Sequence, residues 1–380
     1  MKAKLPILAA LLLCFFAPRA SAQAESLSPA KEEFRGAWLA TVAGLDWPDC
    51  NEPAIIQQIH LIEQIKGLRE LGCNTVIFQV VSNMDALYKS DLLPWSSVLT
   101  GVEGRDPYYD PLSIAVQVAH DCGMQIHAWI NPLRVCRDDI TPHDKLHVSV
   151  SHPEWVQNYR HKLYLDPGNP EVVEFLRNIA LEIVGRYDVD GLHIDDYFYP
   201  EGLQKDGNGW RNDMYELYGK GRKLDDWRYA TINNVVKTLY EATHEAKPGT
   251  VFGISPSGRL VNTCRLYADP RMWVAEGTAD YLAPQIYWAI GRSDAAAFEQ
   301  VLESWRFISK GVPVYVGLAA YKYAQGYNKG PDAPYVSLAE FKKEIGLCRD
   351  AWFVKGHIWF RTKDILSDDF RSYILSELYD

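Results

Sequence analysis

The stretch DGLHIDDYFYP, Asp190 to Pro200, sets a short apolar strand directly before two adjacent carboxylates and two tyrosines, Tyr197 and Tyr199. Side chains along a strand alternate sides. If Leu192 and Ile194 face an outer layer of helices, His193 and Asp195 face inward and Asp196 follows just beyond. Carboxylates at the carboxyl ends of parallel strands are the usual catalytic groups of barrel enzymes, because that face is where the βα loops gather. The alternative is structural: one of the pair caps a loop or forms an ion pair.

Seven further strand-like runs surround this one: 34–42, 75–81, 125–131, 251–257, 281–288, 314–321 and 356–361, with the central run taken as 191–197. Helical periodicity fills the gaps. Ile55, Ile59, Ile62, Ile65 and Leu68 share one helical face before Leu71-Gly72, and Pro170 opens a second helix with a stripe through Val173, Leu176, Ile179 and Ile183. Eight alternating units predict a (β/α)8 TIM barrel with long βα loops. The long loops are 132–170 and 199–227, lengths that suit lids or cleft walls.

The amino terminus reads MKAKLPILAALLLCFFAPRASAQA, with two lysines, an apolar run and a small-residue site at Ala20-Ser21-Ala22. This is the pattern of a signal peptide over residues 1–22, leaving 23–380 as a single barrel domain exported to the periplasm or medium. Leu13 before Cys14 argues against lipoprotein anchoring, and no later run is long and apolar enough to span a bilayer. Loss of residues 1–22 removes Lys2, Lys4 and Arg19 and no acid, moving the formal charge from −10 to −13. That acidity disfavours nucleic acid as a partner. The six remaining cysteines form no CxxC pair, and no clustered His/Cys spacing suggests a metal or other cofactor. Oligomeric state is not encoded in any of these features.

Strand parity then lists the side chains aimed inward near the carboxyl ends. They are Gln79, Asn83 and Asp85 from strand two, His127, Trp129 and Asn131 from strand three, and Ser255 from strand five. Gln285 and Tyr287 come from strand six, Tyr321 from strand seven, and Trp359 and Arg361 from strand eight. Trp288 closes strand six, while Tyr199 and Glu201 open the loop after strand four, and all three are candidate substrate contacts. Amides, hydroxyls and flat rings suit a neutral polyhydroxylated ligand, and the 12 tryptophans and 22 tyrosines suit stacking on sugars. His127 could instead satisfy a backbone group, Gln79, Asn131 and Gln285 could form a buried polar network, and Trp129 and Trp359 read as packing. There is no GxGxxG after a strand, no P-loop and no GxSxG elbow.

Glycosidic cleavage needs one carboxylic acid for the leaving oxygen and a second carboxylate as nucleophile or base. Asp195 is the first candidate. Its partner is open among Asp196, Asp85, Glu201 and Asp46, since strands five to seven offer no inward acid at their tips. Burial and mutual repulsion would keep one of a close pair protonated.

Eight segments resemble the glycosyl hydrolase-like family ten proteins, exported bacterial TIM barrels. They are FRGAWLATV with LDWP (Phe34 to Pro48), MDALYKSDLLPWS (Met84 to Ser96), YDPLSIAVQVAHDCGMQIHAWINPLRV (Tyr109 to Val135), HPEW (His152 to Trp155), YLDPGNPEV (Tyr164 to Val172), RYDVDGLHIDDYFYP (Arg186 to Pro200), FGISPSG (Phe252 to Gly258) and DYLAPQIYW (Asp280 to Trp288). The resemblance implies hydrolysis of a bacterial polysaccharide, with the glycan strands of peptidoglycan as the expected substrate. It implies Asp195 and Asp196 at the centre of the signature and Asn83, Asp85, Asn131, Gln285 and Tyr287 in the cleft. Where many members read Arg-Pro-Asn-Ala-Asp after strand two, this chain reads Val81-Ser82-Asn83-Met84-Asp85, without the basic group. A glycosidase for a host or dietary polysaccharide and a non-catalytic carbohydrate-binding barrel are the competing expectations.

Overall fold

Short runs rich in Val, Ile, Phe and Trp, apolar on both faces, are stable only where both faces are covered, and here they close into a parallel barrel. The computed structural model of the chain describes residues 33–141, 143–204 and 209–379; the expected leader, with Cys14, lies outside them. The strands are β1 (Phe34–Leu39), β2 (Thr75–Val81), β3 (Gln125–Ile130), β4 (Arg134–Cys136), β5 (Val156–Tyr159), β6 (Lys162–Leu165), β7 (Gly191–Ile194), β8 (Val251–Ile254), β9 (Tyr281–Leu282), β10 (Val314–Leu318) and β11 (Val354–Trp359). Eight of them form the closed barrel in the order β1-β11-β10-β9-β8-β7-β3-β2, and β4, β6 and β5 make a separate antiparallel sheet. The eight barrel strands are the eight runs expected from the sequence.

Strand parity divides the core into two shells. Leu192 and Ile194 join the outer shell, where strands meet helix residues such as Leu176, Ile179 and Ile183. Phe34, Trp38, Ile77, Trp129, Tyr281 and Ile358 fill the barrel itself. Low in that interior, polar groups form a short chain of hydrogen bonds that ends at His127, whose Nε2 has no partner. Trp38 Nε1 donates to His193 Nε2 at 3.2 Å, so the His193 proton sits on Nδ1 and reaches the Tyr281 hydroxyl at 2.9 Å. The hydroxyl then donates to His127 Nδ1 at 2.8 Å. Burial holds both imidazoles neutral, pulling His127 down to about 4 and His193 well below its ordinary value.

Several strands run shorter than the sequence suggests. The fourth expected strand was to reach Tyr197, but β7 ends at Ile194, and the sixth was to reach Trp288, but β9 ends at Leu282. β1, β8 and β10 also end three residues early, at Leu39, Ile254 and Leu318. Pro284 has no N–H for the ladder, so beyond it only single bridges at Gln285 continue the pairing. Leaving the sheet at Ile194 frees Asp195 and Asp196 from strict alternation.

The helix Ala54–Glu70 also differs from expectation. Its buried face runs through Gln57, Leu61, Ile65 and Leu68, while Ile55 and Ile59 stay exposed. Gln57 sets this rotation. Its amide donates to Asp49 O and Leu99 O and accepts from Tyr109 Oη, and its carbonyl accepts from Trp47 Nε1. The helix Pro170–Arg186 follows the sequence reading more closely, with Asn169 capping its first turn. The long connection after β3 is built rather than loose, since it carries the β4-β6-β5 sheet against the barrel mouth. No helix among the described residues is long and apolar enough to cross a membrane.

Gly253 on β8 shows how tightly the interior is fitted. A Cβ there would lie 1.8 Å from Cζ of Tyr281, whose ring is pinned by both histidines. Gly253→Ala is expected to cost roughly 3 kcal/mol of stability in chemical denaturation. Gly249→Ala, with nothing within 4 Å of its Cβ, should change stability by no more than about 0.5 kcal/mol. Equal effects at the two positions would contradict this account of the barrel interior.

Candidate active site

Above the histidine layer, the carboxyl ends of the strands enclose a cavity of about 200 Å³, lined by Trp38, Ala40, Val42, Leu45, Gln79, Trp129, Arg134, Asp195, Asp196, Tyr197, Ser255, Gln285, Tyr287 and Phe360. Its only acids are Asp195 and Asp196. A second, larger groove of about 690 Å³ adjoins it beside the β5–β6 hairpin, and Asp196, Tyr197 and Gln285 border both. Asp196 therefore stands where the smaller chamber meets the larger groove, and Asp195 lies on the chamber side alone.

A relay of amides fixes Asp195. Gln79 Oε1 accepts the backbone N–H groups of Thr41 and Val42, so its NH2 points at Asn131 Oδ1, 2.6 Å away. Arg134 donates to the same oxygen at 2.8 Å. With Oδ1 doubly occupied, Asn131 must turn its own NH2 to Asp195 Oδ2, which also accepts from Trp129 Nε1 at 3.1 Å. Asp195 Oδ1 receives only a long 3.4 Å contact from Tyr197 N. The carboxyl is thus anchored through one oxygen, leaving the other for a ligand.

Burial dominates the electrostatics. It pushes the Asp195 carboxyl up to about 7, helped by the charge of Asp196 and opposed by Arg134, the Tyr197 N–H and the Trp129 N–H. Asp196 is also raised by burial, with the Gln285 amide and Arg134 pulling the other way. Both carboxyls therefore keep their protons to higher pH than an exposed aspartate does. Arg134, whose guanidinium lies 4.2 Å from the centre of the Tyr197 ring, is the one cation among the residues lining the chamber.

The other candidates fall into distinct places. Gln79, Ser255, Gln285 and Tyr287 line the chamber with the two acids, and Gln285 Nε2 is held by Ser255 O and Oγ. Tyr199 and Glu201 line the groove, although the Tyr199 hydroxyl is already engaged by Thr231 Oγ1 at 3.0 Å. Asn131 acts from behind Asp195. Tyr321 packs edge-on against Tyr287 and Phe360. Asp85 does not enter the chamber: its carboxylate ties the loop after β2, accepting from Ser96 Oγ, Asn83 N and Ser82 Oγ. Asn83 lies in that loop, its carbonyl accepting from His147. His127 sits in the floor network, and Trp288 packs into the outer shell because its parity is opposite to that of Tyr287.

Trp38, Phe360 and Arg134 line the chamber but were not singled out as site residues from the sequence. Parity would have found Trp38, since Phe34 to Val42 was read as a strand. Arg134 follows the end of β3 by four residues, and only the β4 turn brings it back over the mouth.

Two other features compete for attention. A concavity of about 950 Å³ lies beside the β1 exit among Asp46, Asp49, Glu52, His60 and Lys363. Three of its acids serve local structure: Asp46 accepts from Ala40 N and Lys363 N, Asp49 accepts from Asn51, and Glu52 pairs with His60. Glu103, His143 and His147 bring ligand-type atoms within 4.8 Å of one another. The two imidazoles, however, stack face to face at 3.9 Å and 9°, so their in-plane lone pairs do not converge, and both His147 nitrogens already contact Ser149 Oγ and Asn83 O.

Comparison with known proteins agrees with this architecture. Residues 33–337 match the family described as Glycosyl hydrolase-like 10. The chain is 37% identical to the glycosyl hydrolase YngK of Bacillus subtilis (strain 168), over 88% of this chain and 69% of that protein. It is 34% identical to the glycosyl hydrolase DigH of Escherichia coli (strain K12), over 90% of this chain and 86% of that protein. In fold, it is similar to the glycoside hydrolase domain of PgaB (BpsB) from Bordetella bronchiseptica. That match has a TM-score of 0.55 at 11% identity, covering 90% of this chain and 98% of that one. It is also similar to alpha-L-fucosidase isoenzyme 2 from Paenibacillus thiaminolyticus, with a TM-score of 0.56 at 11% identity and 90% and 48% coverage.

The raised carboxyl gives stability a defined pH dependence. The folded pKa of Asp195 lies above its ordinary value of 3.8, so the folded state binds the extra proton and stability falls as pH rises from about 4 to about 7. At about 1.4 kcal/mol per unit, the loss is up to about 4 kcal/mol. Asp195→Asn keeps an oxygen for Trp129 and Asn131 but carries no charge, so denaturation midpoints between pH 4 and 7 should decline less steeply. Asp46, also pushed up to about 7, retains part of the slope. Identical slopes in the two proteins would refute the burial assignment.

Proposed function

The chain belongs to the glycosyl hydrolase-like 10 family, and from that premise we propose that it is an exported glycoside hydrolase whose substrate is the glycan strand of peptidoglycan. The observation that carries the reading is the position of Asp196, on the border of a one-ring chamber and an open groove, with Asp195 behind it. At roughly 300 Å³ and above a cavity accepts a drug-sized ligand; this smaller chamber suits a single sugar, and the groove suits the continuing chain. A glycosidic oxygen lying between the two would meet Asp196, which is placed to protonate it as the bond breaks.

Each lining group has a task in this scheme. Asp195, held by Trp129 and Asn131, offers its second oxygen to the sugar in the chamber and opposes the positive charge that develops at the anomeric carbon. Trp38, Trp129, Tyr287 and Phe360 supply flat faces for the ring and keep bulk water from the carboxyls. Ser255 and Gln285 provide the directional polar contacts. Arg134 limits the cost of placing two acids together.

Two features favour peptidoglycan within the carbohydrate class. The amino-terminal pattern is that of an exported protein. Arg160 and Lys162, which line the groove, would meet the lactyl carboxylates that muramic acid exposes in peptide-free strands.

Incubation of the purified protein with peptide-free glycan strands, followed by mass spectrometry, tests the reading. Shortened saccharides are expected from the wild type, and Asp196→Asn should lower kcat by roughly 10²- to 10⁴-fold. Binding without cleavage by the wild type would point to a carbohydrate-binding barrel instead. A separate outcome is expected for Lys162→Ala: a several-fold rise in KM for peptide-free strands and none for chitin oligosaccharides, which lack the carboxylate. An equal change on both substrates would argue against peptidoglycan as the preferred polymer.

A further inference from the structure

Resting on the reading that this site cleaves glycosides, we propose that the cleaved sugar must carry a 2-acetamido group whose carbonyl oxygen attacks the anomeric carbon. Asp195 holds the amide N–H of that group, and Asp196 acts as acid and then as base.

A double-displacement or single-displacement glycosidase places its two carboxylates across the sugar, roughly 5–5.5 Å or 6.5–9.5 Å apart. Here both acids are consecutive residues entering from one wall, at the end of β7. The facing walls bring Ser255 from beyond β8, Gln285 and Tyr287 from beyond β9 and Phe360 from beyond β11, and none is an acid. Asp85 and Asp46 are committed elsewhere by their hydrogen bonds, and Glu201 borders only the groove. No enzyme carboxylate among the described lining residues stands opposite Asp196 to serve as nucleophile.

What the chamber has is a receptor for an amide. Asp195 Oδ2 is saturated by Trp129 and Asn131, so Oδ1 is the acceptor left for a ligand N–H. The Tyr287 hydroxyl, kept protonated by burial and by the neighbouring acids, is a donor for a carbonyl oxygen. Trp38, Trp129 and Phe360 offer an apolar recess for a methyl group. An N–H donated to Asp195 adds a further donor to that carboxyl and favours its charged form, and a charge there favours the protonated form of the neighbouring Asp196. Substrate binding thereby sets the protonation state that catalysis requires.

The steps balance without a covalent bond to the protein. The acetamido oxygen bonds to C1 as the bond from C1 to the departing oxygen breaks, and that oxygen takes the Asp196 proton. The cyclic oxazolinium ion is paired with the Asp195 carboxylate. Water then adds to C1 and gives a proton to Asp196, the ring C1–O bond opens, and the acetamide is restored. One water is consumed and the anomeric configuration is retained. An intramolecular nucleophile of this kind gains the rate advantage of a pre-oriented neighbour.

The test compares chitin oligosaccharides and peptide-free strands with their N-deacetylated forms, and adds calorimetry with the thiazoline analogue of N-acetylglucosamine, a stable mimic of the cyclic ion. N-deacetylation should lower kcat/KM by about 10³-fold or more, and early products should show retained configuration by NMR. The thiazoline should bind the wild type and bind Asp195→Asn at least about 10-fold more weakly. Inverted product, trapping of a 2-fluoro sugar on an enzyme carboxylate, unimpaired cleavage of deacetylated polymer, or failure of the wild type to bind the thiazoline would each overturn the proposal while leaving the glycosidase reading intact. Cleavage of none of these polymers would instead bring down the glycosidase reading itself.

Discussion

The structure turns on one buried carboxyl. Asp195 sits at the top of a barrel filled with rings, where a charge is costly, and it is held there by Trp129 and Asn131, which meet one of its oxygens, with Arg134 and the Tyr197 N–H offsetting the burial further. Those two bonds depend in turn on a chain of amides that begins at the backbone of the loop after β1 and passes through Gln79 and Asn131. Each member has its donors and acceptors assigned by the one before it. The site is therefore pre-organised by the barrel mouth as a whole rather than by any single loop.

The same logic explains the two layers of polarity inside the barrel. Low down, His127, His193 and Tyr281 bond to one another and to the Trp38 indole N–H, and the two histidines hold no charge. Higher up, hydrogen-bonding capacity is left over: one oxygen of Asp195, the edge of Asp196, and the hydroxyls of Ser255 and Tyr287. Free capacity on several groups at the strand ends, above a layer whose groups bond mainly to one another, separates the site from the core.

Much of this was legible in the sequence, for identifiable reasons. Period-two alternation placed Leu192 and Ile194 outside and His193 inside, and all eight barrel strands announced themselves through Val, Ile and aromatic runs. Strand ends were harder to see, because Pro284 and the departure of the chain after Ile194 depend on neighbours as well as on local pattern. Asp85 looked equivalent to Asp195 by parity, yet the chain beyond Val81 turns and Ser96 claims its carboxylate from eleven residues away. The helical stripe through Ile55 and Ile59 misled for a related reason: the polar Gln57 had three partners waiting in other segments. Arg134 was invisible as a cleft residue because its direction comes from a small antiparallel sheet made of segments more than twenty residues apart. The run after strand two lacks a basic group, and the cation in the chamber arrives from this other side.

The most direct measurement is a crystal structure of Asp196→Asn with a peptide-free glycan fragment bound. The account requires one sugar inside the ring-lined chamber and its glycosidic oxygen within about 3 Å of the residue 196 side chain, with the chain continuing along the groove beside the β5–β6 hairpin. A fragment seated in the large concavity beside the β1 exit, or a glycosidic oxygen out of reach of residue 196, would contradict it.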